Sequence, residues 1–145
     1  GGGLLSGIAT AVKLSNPKVK VVGVEPELAG DAEESFRSGK VIEWPAEKTT
    51  RTICDGLRTQ SVGEIPFAHI RRYVDDIITV TEEEIREALR RIVLHARLVA
   101  EPSGAVSFAG FLFHREELPA SRCTVAVISG GNVEPALLAE VAKAG

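Results

Sequence analysis

No stretch of this sequence approaches the ~20 consecutive apolar residues that a bilayer-spanning helix needs, so no membrane partner is expected. No basic run occurs and the net charge is −3, which argues against nucleic acid or an anionic membrane surface. Only two cysteines are present, Cys54 and Cys123. They lie far apart, outside any C-x-x-C pair, and read as free thiols of a reducing, cytoplasmic compartment. His69, His95 and His114 are scattered without zinc-type spacing. Internal repeats and low-complexity segments are absent. Methionine is also absent, and the chain opens on glycines with no strand to feed them. The sequence therefore reads as the C-terminal part of a longer protein. What remains, 44% hydrophobic and 26% charged residues over 145 positions, fits one globular domain.

Helical and strand patterns alternate along the chain. Residues 4–16 carry apolar positions at helical spacing, and Lys18 to Val24 forms a β-branched run of the kind buried on both faces of a sheet. Asp31 to Ser38 is a short predicted helix ended by Gly39, and residues 40–66 are predicted to be mostly loop. A helix near 67–73 precedes a second strand, Ile77–Val80. Thr81 and Glu84 form a T-x-x-E capping box, and Ile85, Ala88, Leu89, Ile92, Ala96 and Val99 extend a helix beyond it. Glu101-Pro102 ends that helix, and Ser103 to Phe113 begins another. Thr124 to Ile128 is expected as a third strand, followed by a Ser129-Gly130-Gly131-Asn132 turn and a last helix, Pro135–Lys143. This order implies an α/β fold, a parallel sheet flanked by helices. Ligands of such sheets sit at the carboxyl ends of the strands, where Glu25 and Ser129 fall.

Gly1-Gly2-Gly3-Leu4 at the head of a helix suits anion binding. Glycines let backbone N–H groups approach a ligand, and the helix end adds a positive dipole. An unstructured glycine tag is the bland alternative. Six segments in order then resemble one family: Gly1-Gly2-Gly3-Leu4-Leu5-Ser6-Gly7, Val22-Gly23-Val24-Glu25-Pro26, Asp55-Gly56-Leu57-Arg58-Thr59, Val74-Asp75-Asp76-Ile77-Ile78-Thr79-Val80, Ala100-Glu101-Pro102-Ser103-Gly104-Ala105 and Ser129-Gly130-Gly131-Asn132-Val133. Together they resemble the C-terminal half of a fold type II (tryptophan synthase β-like) pyridoxal-phosphate enzyme, in the threonine dehydratase and serine racemase branch. The resemblance covers essentially all of residues 1–145, which it places in the large cofactor-binding domain.

The resemblance implies roles residue by residue. Gly1, Gly2, Gly3 and Leu4 match the loop that holds the phosphate of pyridoxal 5'-phosphate (PLP). Gly56 matches a position lining the cofactor ring; otherwise it is an ordinary turn glycine. Ser129, followed by Gly130, matches the residue whose hydroxyl faces the pyridine nitrogen; otherwise it is a turn or helix-capping serine. A neutral hydroxyl there favours an unprotonated nitrogen and a weaker electron sink, which suits β-elimination. Glu25, Ala29 and Asp31 match a divalent-cation site, whose hard oxygen donors suit Mg²⁺, Ca²⁺ or Mn²⁺. The alternative makes Asp31 a helix cap and Glu25 a strand-end charge. Glu101 matches an acidic residue near the cofactor.

The family's Schiff-base lysine belongs to the N-terminal half, so no catalytic lysine is assigned here, and Lys13, Lys18, Lys20, Lys40, Lys48 and Lys143 match no motif. The resemblance implies a threonine or serine dehydratase, converting L-threonine to 2-oxobutanoate and ammonia. In that reading the partners are a small amino-acid substrate, the protein's own N-terminal half and, when intact, further copies of itself. A serine or aspartate racemase or a hydroxyaspartate dehydratase of the same fold is the first alternative. A non-catalytic phosphate-ligand or metal-binding module is the second.

Overall fold

A computed structural model of the protein describes residues 1–143. Helix α1 (Gly3–Ser15) leads to strand β1 (Val22–Pro26), and a 3-10 turn, Glu27–Ala29, connects to α2 (Asp31–Ser38). The single-turn helix α3 (Ala46–Thr49) and a second 3-10 turn, Asp55–Leu57, punctuate the long loop. Then follow α4 (Glu64–Tyr73), β2 (Asp76–Val80), α5 (Glu82–Arg91), α6 (Pro102–Phe113) and α7 (Pro135–Lys143).

Strands β1 and β2 pair in parallel, Val22 opposite Asp76 through Pro26 opposite Val80. Alternation along the strands sends side chains to opposite faces. Ile77 joins Ala9, Val62, Ile70 and Val74 in one core, with Leu5 and Phe67 against it. Val80 joins Ile85, Ala88, Leu89, Ile92, Val106 and Ala109 in the other. Helices α1 and α4 thus cover one face and α5 and α6 the other, as the alternating pattern implies.

The first strand starts later than its β-branched run suggests. The Asp75 carboxylate accepts the Val21 N–H at 2.8 Å, so that donor is satisfied by a side chain and the ladder begins one residue on. The same carboxylate meets Lys13 at 2.6 Å and Lys20 at 2.9 Å, tying α1 to the sheet edge. Burial raises the Asp75 carboxyl, but the Lys13, Val21 and Lys20 donors outweigh it and hold the group at about 2, against an ordinary 3.8. A depressed carboxyl stabilises the fold above its unfolded value, and the gain disappears as pH falls through the folded value. We expect Asp75→Asn to cost about 1–2 kcal/mol at pH 7. Urea denaturation should show the mutant and native midpoints converging as the pH is lowered from 4 towards 2.

The capping box forms as the sequence implies. Thr81 Oγ1 accepts the Glu84 N–H at 3.2 Å, and Glu84 Oε2 accepts the Thr81 N–H at 2.8 Å. The helix beyond is shorter than its apolar spacing implies. Regular α-helix ends at Arg91, a wider π-type turn covers Ile92–Ala96, and Arg97 closes it in the left-handed conformation at φ 58°. Ile92 is buried, whereas Leu98 and Val99 are exposed, so the later apolar positions have no described element to pack on.

The expected third strand, Thr124–Ile128, is not formed among the described residues. A strand needs a ladder partner, and none of the described segments pairs with it. Val125 is 79% exposed, and the segment is anchored by the Ser107 hydroxyl, which donates to the Val127 carbonyl at 2.8 Å.

Candidate active site

The glycine loop is built against the segment that follows the Gly56 turn. The Gly1 nitrogen donates to Thr59 Oγ1 at 3.1 Å, and the Gly63 N–H donates to the Gly1 carbonyl at 3.1 Å. Gly2 adopts φ +82°, and a Cβ there would sit 2.6 Å from Val62 Cγ2. Its glycine identity is explained by the fold itself. Gly1 and Gly3 differ, since a Cβ on either would meet nothing within 4 Å. Helix α1 begins at Gly3 without a side-chain cap and without an acidic residue in its first turn. The first intrahelical bond runs from the Ser6 N–H to the Gly2 carbonyl. The N–H groups of Gly3, Leu4 and Leu5 therefore lack helical partners, at the positive end of the helix dipole. Leu4 itself is 59% exposed. This is a cradle open to an anion.

The Gly56 turn is fastened to the start of α6. The Gly56 N–H reaches both Asp55 Oδ1 at 2.8 Å and Ser103 Oγ at 3.0 Å. The Ser103 hydroxyl in turn lies 3.4 Å from Asp55 Oδ1. Arg58 braces the loop through two bonds to the Thr52 carbonyl, at 3.0 and 2.7 Å. Beneath it, burial pushes the Cys54 thiol up to about 12, so this cysteine is no nucleophile at neutral pH.

The Ser129–Gly130 turn is fastened to the same helix end. The Glu101 N–H donates to the Gly130 carbonyl at 3.0 Å, and Glu101 Oε2 accepts the Asn132 N–H at 2.7 Å. A Cβ on Gly104 would lie 2.6 Å from the Gly130 carbonyl oxygen. Ser129 is exposed and lies six residues before α7, so it does not cap that helix. Of the cofactor positions inferred from sequence, the glycine loop bonds to Thr59, three residues beyond Gly56 in the chain, and the Gly56 and Gly130 turns both bond to the start of α6. The sequence resemblance puts Glu101 near the cofactor and assigns no site role to Ser103 or Gly104. The signal available was Glu101-Pro102, a non-helical residue followed by proline at the first helical position, which marks a helix start.

The proposed cation ligands sit at the end of β1 and the start of α2. Ala29 and Asp31 are buried, at 1% and 2% exposure. The bland alternative, Asp31 as a helix cap and Glu25 as a mere strand-end charge, is not what forms: Gly30 precedes α2 without a side-chain cap, and Glu25 Oε1 accepts the Glu33 N–H at 2.7 Å. Burial raises the Glu25 carboxyl to about 8, with Asp31 and Glu33 adding like-charge repulsion. Burial also raises Asp31, to about 6, against its own backbone N–H. Two carboxyls held out of water fit a compensating cation chemically. Among the described residues no three His, Cys, Asp or Glu side chains converge as a metal cluster. These two carboxylates and the Ala29 carbonyl would therefore need water to complete a shell.

Comparison with known proteins gives a consistent picture. A family described as pyridoxal-phosphate dependent enzyme matches residues 1–130. An L-threo-3-hydroxyaspartate ammonia-lyase of Saccharomyces cerevisiae is 42% identical over 134 residues, covering 92% of this chain and 40% of that protein. The catabolic L-threonine dehydratase of Escherichia coli is 34% identical over 142 residues, covering 97% of this chain and 42% of the other. Among solved structures, a threonine deaminase from T.th. superposes with TM-score 0.85 at 45% identity, over 91% of this chain and 47% of that one. Maize serine racemase superposes with TM-score 0.84 at 34% identity, over 97% and 43%. The chain spans less than half the length of each of these relatives.

Proposed function

The chain belongs to the pyridoxal-phosphate-dependent enzyme family, and from that premise we propose that the whole protein is a threonine/serine dehydratase. It would release ammonia from L-threonine to give 2-oxobutanoate. The observation that supports this reading is the set of hydrogen bonds that tie the glycine loop to Thr59 and both the Gly56 turn and the Ser129–Gly130 turn to the first turn of α6. When bound, PLP supplies the electron sink for loss of the α-proton and the β-hydroxyl. The unpaired N–H groups of Gly3, Leu4 and Leu5 would hold its phosphate. Gly56 would leave its ring face unobstructed. Ser129 would meet the ring nitrogen with a neutral hydroxyl, and residues of the whole protein outside this chain would supply the lysine that holds the cofactor.

A second reading rests on a specific observation. The Saccharomyces hydroxyaspartate ammonia-lyase and a serine racemase of Schizosaccharomyces pombe are both 42% identical over 134 residues. Offering the PLP-loaded full-length protein L-threonine, L-serine and L-threo-3-hydroxyaspartate separates the readings. Ammonia release fastest from L-threonine supports the first. Ammonia release fastest from hydroxyaspartate, or D-serine formed from L-serine without ammonia, supports the second.

Glu25, Asp31 and the Ala29 carbonyl are proposed to hold Mg²⁺, Ca²⁺ or Mn²⁺. A ligand of the folded state alone stabilises by about 2.7 kcal/mol at a hundred times its dissociation constant. We expect millimolar Mg²⁺ or Ca²⁺ to raise the thermal midpoint by several degrees, and Asp31→Asn to abolish that rise. An unchanged midpoint at about 10 mM of either ion, roughly ten-fold or more above the dissociation constants of even weak Ca²⁺ sites, counts against the site.

A further inference from the structure

The first turn of α6 touches both loops assigned above to the cofactor ring. Ser103 accepts the Gly56 N–H at 3.0 Å. Glu101 grips the Ser129 turn twice, through its N–H to the Gly130 carbonyl at 3.0 Å and through Oε2 to the Asn132 N–H at 2.7 Å. The approach leaves no room for side chains. A Cβ on Gly104 would lie 2.6 Å from the Gly130 carbonyl oxygen and 2.8 Å from its nitrogen. A Cβ on Gly130 would run into the Glu101 carboxylate, and one on Gly131 would lie 2.8 Å from the Val99 carbonyl.

The contrast with the rest of the turn is informative. Residues 122–134 form no helix or strand, so no ladder or helical bond fixes Ser129. Its neighbours on the amino-terminal side are exposed, Val125 at 79% and Ile128 at 37%. The backbone around Ser129 is therefore held by side-chain and loop contacts and not by regular structure: the Ser107 hydroxyl on the Val127 carbonyl before it, and the Glu101 contacts at Gly130 and Asn132 after it. Ser103 and Gly104, by contrast, are buried within a helix whose opposite end packs on the sheet. A rigid element carries both clamps, so the separation of the Gly56 and Ser129 turns is set by the spacing of Glu101 and Ser103 on one helical turn.

We propose that Glu101 is a positioning residue: its carboxylate holds the 129–132 turn so that the Ser129 hydroxyl stands at a fixed height above the Gly56 turn. Ser103 fixes the second loop from the same helix end. This inference rests on the functional reading above for its consequence, PLP affinity, but not for the clamp itself. A charged acceptor facing a backbone N–H makes a strong hydrogen bond. Its removal frees the turn and spreads Ser129 over several positions, of which a fraction are competent to bind.

The test uses the full-length protein, native and with Glu101→Ala, Glu101→Gln and Ser103→Ala, well below its thermal midpoint. Amide hydrogen exchange of residues 129–132 is measured without PLP. PLP affinity and the absorption spectrum of the bound cofactor are measured by titration. For Glu101→Ala we expect faster exchange at Asn132, PLP affinity weakened about ten-fold, the size of one lost charge-assisted hydrogen bond, and an altered spectrum. Glu101→Gln keeps an acceptor oxygen at the same reach and should restore slow exchange and most of the affinity. Ser103→Ala should loosen the 55–57 turn and leave Asn132 protected.

Unchanged exchange in Glu101→Ala overturns the clamp. Faster exchange with native PLP affinity and spectrum overturns the positioning role, leaving a merely structural one. A glutamine variant that recovers no protection at Asn132 also overturns it, because an acceptor oxygen at the same reach would then fail to hold the turn. If the native protein binds no PLP while the exchange results are as expected, the functional reading fails and the clamp stands.

Discussion

Replacing Gly2 with alanine is expected to lower the unfolding free energy by about 3 kcal/mol. The residue stands at φ +82°, where an L-side chain pays for a left-handed backbone, and its Cβ would press 2.6 Å from Val62 Cγ2 and 3.1 Å from Ile70 Cδ1. Val62 and Ile70 are buried at 2% and 0% exposure, so neither can move aside without disturbing the core between α1 and α4. Gly3→Ala supplies the contrast. A Cβ there meets nothing within 4 Å, and alanine is the better helix former by about 1 kcal/mol. That variant is expected to be as stable as the native chain or more so, yet to bind PLP more weakly in the full-length protein, because the methyl occupies the open side of the cradle. Chemical denaturation beside PLP titration checks both. A Gly3→Ala protein with native PLP affinity would remove the phosphate from this helix end.

Ser129→Asp is expected to slow ammonia release from L-threonine by at least ten-fold, about 1.4 kcal/mol in the barrier. An aspartate carboxylate beside the ring nitrogen favours its protonated form, where a hydroxyl leaves it neutral. The stronger electron sink holds charge that the leaving hydroxyl would otherwise drain, so side reactions should rise. Ser129→Ala removes a hydrogen bond without adding charge and should be milder. Because Ser129 is exposed and outside regular structure, neither change should move the thermal midpoint appreciably. Steady-state rates and the cofactor absorption spectrum are the measurements. Native elimination kinetics with an unchanged spectrum in the aspartate variant would place the ring nitrogen elsewhere.

Elements with a complete local signal were legible in the sequence. The Thr81–Glu84 capping box forms with both of its bonds, Gly39 closes α2 at φ +76°, and Pro135 opens the last helix. Elements that depend on distant partners were less so. Asp75, 54 residues from Val21 in sequence, decides where β1 begins, and no local pattern announces it. Thr124–Ile128 has the composition of a buried strand, but strand formation needs a neighbour, and none of the described segments provides one. The glycines of the site divide in the same way. Gly2 and Gly104 answer to the fold's own atoms, whereas Gly1 and Gly3 face open space. Sequence spacing cannot tell these apart. That Glu25, at the end of β1, accepts a first-turn N–H of α2 follows from the strand end lying over the helix start, which only the fold reveals.

The central claim is that these residues form the phosphate and ring contacts of an ammonia-lyase whose lysine lies outside the chain. Release of ammonia and 2-oxobutanoate from L-threonine, with PLP added, tests it in one assay on two samples: the full-length protein and the 145-residue chain alone. The account predicts turnover by the full-length protein and none by the chain alone. Turnover by the isolated chain at a comparable rate, or none by the PLP-loaded full-length protein, would contradict it.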